Sequence, residues 1–262
     1  MTKIKYQEMI KNKKIGDYMK PKVLISAPIG GLKQYSINDF FEWIAIQEYD
    51  NFEVAICVNG EHSDELVDKL NQVEIYHKSG TKKIHTMKLV NSDKLSIIQK
   101  ITYSREKLRR YAIDNNYDYL FFLDTDTIPM FRDAVDKLIK CNVGCVSGLY
   151  FYKGSLQPVV VDLDTHTNIS LDKINEQVAK NAMLKVWGYG FGCLMLNKET
   201  FTKHAFDYDL FGEERSDDFG YCHVLEHNGV DRWFYPTILC QHLDNPNKPV
   251  NEASFFKVVG KR

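Results

Sequence analysis

Two aspartates separated by a single threonine are the most chemically suggestive feature of the sequence. Asp124 and Asp126 directly follow the apolar run 119–123, Tyr-Leu-Phe-Phe-Leu, which is typical of a short buried strand. Two carboxylates this close repel each other unless a cation lies near both. Hard oxygen ligands suit Mg²⁺ or Mn²⁺, which keep positions open for phosphate oxygens. The spacing predicts a divalent cation that bridges protein and diphosphate, or, more simply, a strand that ends in a capped, solvated turn.

A second acidic pair, Asp217 and Asp218, follows Ser216 at the start of a predicted helix. Ser216 is a suitable N-cap residue, and acids in the first turn complement the helix dipole. On a helical projection Asp218 shares the inward face with Cys222 and Leu225, whereas Asp217 is rotated away by about 100°. An inward carboxylate at a helix N-terminus is expected to stay ionised, as a general base must. The pattern predicts either a general base at Asp218 or a purely structural cap.

A long helix predicted at 95–115 places an arginine on its apolar side. The residues of the apolar face are Ile97, Ile101, Leu108 and Ala112. Arg105 falls within that stripe, Arg109 lies at its edge, and Arg110 points to the opposite side. Because arginine does not lose its charge, a guanidinium on the buried face needs an anion. We therefore expect Arg105 to bind either a phosphate group or a core acid such as Asp124.

Glycine and aromatic residues alternate across 187–192, just before an apolar strand predicted at 193–196. Such glycines would let the backbone approach a ligand closely, while the ring faces remain available for packing or for a stacked sugar. The alternative is a bulged strand entry in which Tyr189 and Phe191 belong to the core. Upstream, the polar and weakly patterned segment 154–182 is typical of a functional loop or lid.

The rest of the chain alternates between strand and helix patterns. Strands are predicted at 22–27, 52–58, 73–76 and 143–152, and helices at 38–48, 63–71 and 131–141. This alternation predicts an α/β fold with a mainly parallel sheet and helices on both faces. Pro28, Gly30 and Gly31 break the first strand, at the point where such sheets hold nucleotides. The absence of a Gly-x-Gly-x-x-Gly fingerprint argues against a dinucleotide.

Taken in chain order, these motifs resemble the glycosyltransferases of the A-type fold (GT-A), in particular inverting family-two-like enzymes. The resemblance covers about 22–243 and joins a nucleotide loop, an arginine-bearing helix, Asp-x-Asp, a glycine-aromatic segment, an acidic helix start and a late histidine. It implies a Rossmann-like GT-A fold with a mixed, mainly parallel sheet. It also implies one catalytic domain at 22–262, with a nucleotide-sugar half at about 22–130 and an acceptor half at about 131–245.

For the site, the resemblance implies that Asp124 and Asp126 bind Mn²⁺ or Mg²⁺ and that His242 completes the metal shell. Asp218 corresponds to the acid that deprotonates an acceptor hydroxyl, and inversion follows only from that role. The activity would be hexosyltransferase-like, with a UDP- or GDP-sugar as donor and a glycan, lipid or protein as acceptor. The residues expected at the donor are Ala27, Pro28, Asn59, Arg105, Arg109, Asp124 and Thr125. Asn59 also fits an ordinary Asn-Gly turn, and His242 an ordinary hydrogen-bonding role.

Composition narrows the class of protein. With 262 residues and 44% hydrophobic residues, the chain can bury the core of one large or two small domains. A net charge of -1 gives no reason to expect nucleic acid, and six cysteines without a Cys-x-x-Cys pair indicate reduced core residues. No apolar run reaches about 18 residues, so we expect a cytoplasmic protein. The lysine-rich stretch 1–21 predicts a solvated extension or a peripheral contact with an anionic membrane.

Three other function classes share parts of this pattern. A haloacid-dehalogenase-like phosphatase also uses Asp-x-Asp after a strand, but its motif has threonine where this chain has Ile128. A sugar nucleotidyltransferase would follow its glycine-rich first loop with arginine, whereas Gly30-Gly31 leads to Leu32-Lys33. A non-enzymatic carbohydrate-binding module needs no metal-diphosphate site. Nucleotide binding that depends on Asp126 separates this last class from an enzyme.

Overall fold

The computed structural model describes residues 20–61, 63–211 and 216–243. Most of the basic extension predicted at 1–21, and the tail after 243, lie outside the described residues. No helix within the described ranges is both long and apolar enough to cross a membrane.

The chain alternates strands and helices. The strands are β1 (Val23–Gly30), β2 (Phe52–Asn59), β3 (Glu74–His77), β4 (Gly80–Lys88), β5 (Tyr119–Leu123), β6 (Thr127–Pro129), β7 (Cys145–Leu149), β8 (Val160–Val161), β9 (Leu184–Lys185), β10 (Gly188–Tyr189), β11 (Cys193–Asn197) and β12 (Arg232–His242). The helices are α1 (Ile37–Ile46), α2 (Ser63–Asn71), α3 (Ile97–Asp114), α4 (Ala134–Lys140), α5 (Leu171–Lys180), α6 (Lys198–Lys203), α7 (Tyr208–Phe211) and α8 (Asp217–His227).

Within the described residues, ten strands form one mixed sheet in the order β3-β4-β2-β1-β5-β11-β7-β12-β6, and β9 also pairs with β12. The central strands β4, β2, β1 and β5 run parallel. The reversed strand β11 joins them to β7 and β12, which are parallel to each other. The predicted α/β fold with a mixed, mainly parallel sheet is thereby confirmed. Because neighbouring parallel strands end at the same edge, the residues that follow β1, β2 and β5 lie close together.

Strand β5 is held on both of its faces. Phe121 and Leu123 pack in the core that contains α1, whereas Leu120 and Phe122 pack in the core beside α3. All four side chains are fully buried, which contributes about 2 kcal/mol each. A slip of one residue would exchange the two faces, so the register is strongly specified. This register fixes where the chain leaves the sheet, at Asp124.

The first strand is longer than predicted, because β1 continues through Pro28 to Gly30. Its pairing with β5 ends at Ser26, whereas its pairing with β2 runs to Gly30. Proline cannot donate a ladder hydrogen bond, but at Pro28 one side of the strand has already lost its neighbour. The loop that follows β1 therefore begins about three residues later than the sequence indicated.

Several elements were not predicted, among them β4 and α5. Strand β4 was missed because its sequence is polar and only Ile84 is buried. Helix α5 lies inside the segment 154–182, for which a loop or lid was predicted. The helix has Ser170 as its N-cap and buries Ile174. The segment is therefore not wholly irregular, and its role as a functional loop or lid stays a prediction.

Candidate active site

The carboxyl ends of β1 and β2, together with α2 and α3, surround a cavity of about 720 Å³. Its lining includes Pro28, Asn59, Leu66, Ile97, Arg105 and Asp124. A volume of this size is typical of small-molecule sites, and the edge of a parallel sheet is where such sites form. The cavity therefore lies where the sequence placed the nucleotide loop.

Of the residues predicted at the first two strands, Pro28 and Asn59 line this cavity and Ala27 does not. Ala27 is fully buried in the core because β1 continues beyond it. Asn59 donates from Nδ2 to the Ser104 hydroxyl at 3.1 Å. The next residue, Gly60, has φ of 82°, so the ordinary Asn-Gly turn is also present.

The apolar face predicted for α3 is wrong in its first turn. Ile97 is 71% exposed, because the helix begins beyond the sheet at the mouth of the cavity. With Ile101 and Leu66 it gives this cavity an apolar wall. Arg105, two turns further along, is 3% exposed, as the helical projection predicted.

The two carboxylates of the Asp-x-Asp motif are bound by protein cations. Asp124 accepts a hydrogen bond at Oδ1 from Arg105 Nη2 at 3.2 Å, and its Oδ2 lies 3.5 Å from Lys33 Nζ. Asp126, which is fully buried, receives Lys33 Nζ on Oδ1 at 3.0 Å and Lys153 Nζ on Oδ2 at 2.8 Å. The Lys33 ammonium therefore lies between the two carboxylates. The simpler interpretation, in which Asp126 is solvated, does not fit its complete burial.

Charge pairing changes the pKa values of this cluster. Burial opposes the charge of Lys33, but Asp124 and Asp126 raise its pKa well above the ordinary value. Burial likewise tends to raise the pKa of Asp126, yet His242, Lys33 and Lys153 together hold it well below the usual range. Asp126 is therefore a carboxylate at any physiological pH.

Lys33 and Lys153 were missed as site residues in the sequence. Lys33 lies in a 3-10 turn (Gly31–Ser36) directly after β1, and its position after Gly30-Gly31 was the available signal. Lys153 lies in a tight turn after β7 in which Gly154 has φ of 67°. Nothing in the local sequence connects Lys153 with Asp126.

The donor atoms present suit a divalent metal. His242 Nδ1 lies 2.8 Å from the Phe151 carbonyl, which can only accept, so the neutral ring carries its lone pair on Nε2. Nε2 lies 3.7 Å from Asp126 Oδ2, too far for a hydrogen bond. Among the described residues no three His, Cys, Asp or Glu side chains are already gathered around one point. The Lys33 ammonium instead takes the position of a cation between Asp124 and Asp126.

Thr125 and Arg109 were expected at the nucleotide-sugar donor, but their side chains do not line the cavity. Thr125 is fully buried, and its hydroxyl accepts a hydrogen bond from Ser36 at 3.0 Å on the inner side of the motif. Arg109 is bound by the Glu106 carboxylate at 2.7 and 2.9 Å and donates to the Phe201 carbonyl at 2.7 Å. Contact of Thr125 and Arg109 with a nucleotide therefore stays a prediction.

The acidic helix α8 meets Arg105 through the aspartate predicted to face away. Asp217 is 7% exposed, and its Oδ2 accepts from Arg105 Nε at 2.7 Å. The projection was wrong because it was drawn on Cys222 and Leu225, whereas Tyr221, one turn after Asp217, is also fully buried. The inward face of α8 is therefore wide enough to include both acids.

Asp218 is half-buried and partly caps its own helix. Its Oδ1 accepts from the Phe219 N–H at 2.9 Å and from the Ser216 hydroxyl. Within the described residues both hydrogen bonds end on Oδ1, which leaves Oδ2 for another proton.

Burial raises the pKa of Asp218, against the opposing Ser216 and Phe219 hydrogen bonds. Burial also raises the pKa of Asp217 to about 6, although Arg105 opposes the rise. Both acids therefore titrate above the usual aspartate range.

The glycine-aromatic segment is packed against Tyr150. The Gly192 N–H donates to the Tyr150 hydroxyl at 3.0 Å, and a Cβ on Gly190 would lie 2.0 Å from that oxygen. Tyr189 and Phe191 are fully buried, so the core alternative is the one observed. Glycine here makes room for a phenol ring, and neither Tyr189 nor Phe191 has a ring face available to a sugar.

Comparison with known proteins places this geometry in a known fold. No protein-family model matches the chain, and no curated protein matches it. The solved structure of the mannosyltransferase PcManGT from Pyrobaculum calidifontis, in complex with GDP-Man and Mn²⁺, matches with a TM-score of 0.57 and 14% identity. That of GalNAc-T7, with UDP, GalNAc and Mn²⁺, matches with a TM-score of 0.60 and 12% identity. The chain adopts the GT-A fold.

The GT-A match covers most of this chain but only part of its neighbours. It includes 93% of this chain and 65% of the mannosyltransferase, and 88% of this chain and 45% of GalNAc-T7. At these identities the likeness establishes the fold alone. The A197 protein from STIV also matches, with 16% identity over 86% of this chain and 87% of that one, at a TM-score of 0.49.

Proposed function

We propose that the protein is a glycosyltransferase that moves a sugar from a nucleotide-sugar donor to an acceptor hydroxyl. The observation that carries the proposal is the position of Asp124 at the rim of the cavity, where Lys33 connects it to the buried Asp126 and Arg105 connects it to the acidic start of α8. Two GT-A neighbours were solved with GDP-Man and Mn²⁺, and with UDP, GalNAc and Mn²⁺, which supports the same substrate class here.

The cavity suits a nucleoside diphosphate. Leu66, Ile97 and Ile101 offer apolar contact to a base or ribose, and Lys33 and Arg105 supply positive charge at the end nearest the motif. The donor would be a UDP- or GDP-sugar. Asp124, Asp126 and His242 Nε2 would hold Mn²⁺ or Mg²⁺. When bound, such a cation neutralises the charge of the departing diphosphate.

Asp217 and Asp218, the two acids at the start of α8, have different roles. Asp217 is bound to Arg105 and positions it, whereas Asp218 keeps one carboxylate oxygen available and a raised pKa, as a general base near neutral pH requires. Asp218 accepts the proton of the acceptor hydroxyl while that oxygen forms a bond to the anomeric carbon. The bond from this carbon to the diphosphate oxygen breaks, and the diphosphate leaves with the electron pair. In-line attack of this kind inverts the anomeric configuration. The acceptor would be a glycan, lipid or protein hydroxyl.

The direct test measures nucleoside diphosphate release from a panel of UDP- and GDP-sugars, with and without Mn²⁺. We expect one donor class to be used by the wild type in the presence of metal, and Asp126→Ala to lower the rate by about 100-fold or more. Asp136→Ala, which removes a half-buried acid on α4 that pairs with Lys140, is the matched control and should not change the rate.

If no donor is bound or hydrolysed under any metal condition, the glycosyltransferase proposal fails. The phosphatase, nucleotidyltransferase and carbohydrate-binding alternatives would then be tested with phosphate esters, sugar phosphates and free glycans.

A further inference from the structure

Lys33 occupies the place between the two carboxylates where a shared cation would bind. Its Nζ lies 3.0 Å from Asp126 Oδ1 and 3.5 Å from Asp124 Oδ2. The Lys33 side chain is 37% exposed and lines the cavity, whereas Asp126 is completely buried. The ammonium thus reaches inward from the cavity to the bottom of the motif.

The carboxylates are already neutralised without a metal. Three positively charged side chains contact the two carboxylates of the motif: Lys33, Lys153 and Arg105. Arg105 also pairs with a third carboxylate, that of Asp217. A divalent cation bound to the same oxygens would meet strong repulsion unless one of these groups moved away.

The three cations differ in their freedom to move. Arg105 is held by carboxylates on two elements, and its side chain is 4% exposed. Lys153 binds the far oxygen of Asp126 and is also hydrogen-bonded to the Tyr35 hydroxyl at 2.7 Å. Within the described residues the Lys33 ammonium pairs with these two carboxylates alone, and its flexible stem opens onto the cavity. Lys33 is therefore the cation that can leave.

We propose that Lys33 is an exchangeable cation that neutralises Asp124 and Asp126 in the free protein, gives way to a divalent metal and then binds the diphosphate of the donor. The inference rests on the proposed function for the identity of the ligand. The competing ammonium weakens metal binding in the absence of nucleotide. A diphosphate offers the displaced ammonium a new anion, so nucleotide and metal strengthen each other's binding, and this coupling is reciprocal.

Calorimetric titration with Mn²⁺, with and without UDP or GDP, tests the exchange independently of turnover. Lys33→Met and Lys153→Met each remove one ammonium bound to Asp126, so they alter the net charge equally. Without nucleotide, we expect Lys33→Met to bind Mn²⁺ at least about tenfold more tightly than the wild type does. We expect Lys153→Met to change the Mn²⁺ affinity less. We expect nucleoside diphosphate to raise the Mn²⁺ affinity of the wild type and to have a much smaller effect on Lys33→Met. Lys33→Gln, which keeps a polar side chain without the charge, replaces Lys33→Met if circular dichroism shows that the latter does not fold.

An unchanged or weaker Mn²⁺ affinity in the folded Lys33 variants would overturn the exchange. Equal enhancement by nucleoside diphosphate in wild type and variant would overturn the capture of the diphosphate by Lys33. If the wild type binds neither UDP nor GDP at any Mn²⁺ concentration, nucleotide binding itself fails. The metal titration without nucleotide still decides whether Lys33 competes at the carboxylates.

Discussion

Arg105 Nε lies 2.7 Å from Asp217 Oδ2 and thereby joins α3 to a helix that begins 112 residues later. The same guanidinium reaches Asp124 at 3.2 Å through Nη2, and the rings of Phe122 and Phe191 lie within 5.5 Å of its central carbon. A core acid is thus one anion that Arg105 binds, as the sequence allowed. The guanidinium holds the carboxylate motif and the acidic helix in one arrangement.

Replacing Arg105 should destabilise the fold. In Arg105→Met the buried Asp217 carboxylate loses its partner, and we expect the free energy of unfolding to fall by about 3 kcal/mol in urea denaturation. Arg110→Met is the matched control, since Arg110 lies on the same helix, is 72% exposed and pairs with Glu106. We expect it to cost less than about 1 kcal/mol. Equal losses of unfolding free energy in the two variants would show that the buried Arg105–Asp217 pair stabilises the fold no more than the exposed pair does.

The packing of Tyr150 on the glycine segment predicts a coupled pair of substitutions. Gly190→Ala would place its Cβ 2.0 Å from the Tyr150 hydroxyl and 2.7 Å from Val159. We expect it to lower stability by about 1–3 kcal/mol. Adding Tyr150→Phe removes the closest atom and should recover part of the loss, which a double-mutant cycle in urea would measure. Strictly additive effects would contradict this account of the glycine.

Asp218 should control the rate of transfer without controlling donor binding. We expect Asp218→Asn to lower kcat by about 100-fold or more while the affinity for nucleoside diphosphate stays unchanged. Asp172→Asn is the matched control, because Asp172 is the second residue of α5 after its N-cap Ser170, the position that Asp218 has in α8.

The pH dependence of kcat/KM gives a second readout for Asp218. A base acts only when deprotonated, so activity should rise with pH through its pKa, which burial raises above the usual aspartate range. We expect this acidic limb to disappear in Asp218→Asn. An intact limb, or a rate close to that of the wild type, would assign Asp218 to capping alone and leave retention open.

Ile97 should contribute to nucleotide affinity although it contributes little to the fold. Its side chain is 71% exposed and lines the cavity, so Ile97→Ala removes apolar contact only when a ligand is bound. We expect the Kd for UDP or GDP to rise roughly fivefold, with a change in unfolding free energy below about 0.5 kcal/mol. Val90→Ala, which alters another apolar side chain at 69% exposure, should leave the Kd unchanged. An unchanged Kd for UDP or GDP in Ile97→Ala would show that the bound nucleotide does not contact Ile97.

Local patterns were sufficient for the elements that position the site. The apolar run 119–123 predicted β5, and the pattern around Arg105 predicted a long helix that buries this arginine. The strand leads directly to Asp124 at the cavity rim. Periodicity and N-capping act between residues that are close in the chain, so a single sequence contains them.

Tertiary structure alone decided which partner each charged or small residue meets. Lys33 is 93 residues from Asp126 in sequence, and Lys153 is 27 residues from it, yet both bind its carboxylate. Periodicity shows that a side chain is buried but not what it is buried against. It therefore could not show that Arg109 turns to Glu106 or that Gly190 accommodates Tyr150. Charge pairing and close packing act through space, and only the folded chain brings these groups within reach of one another.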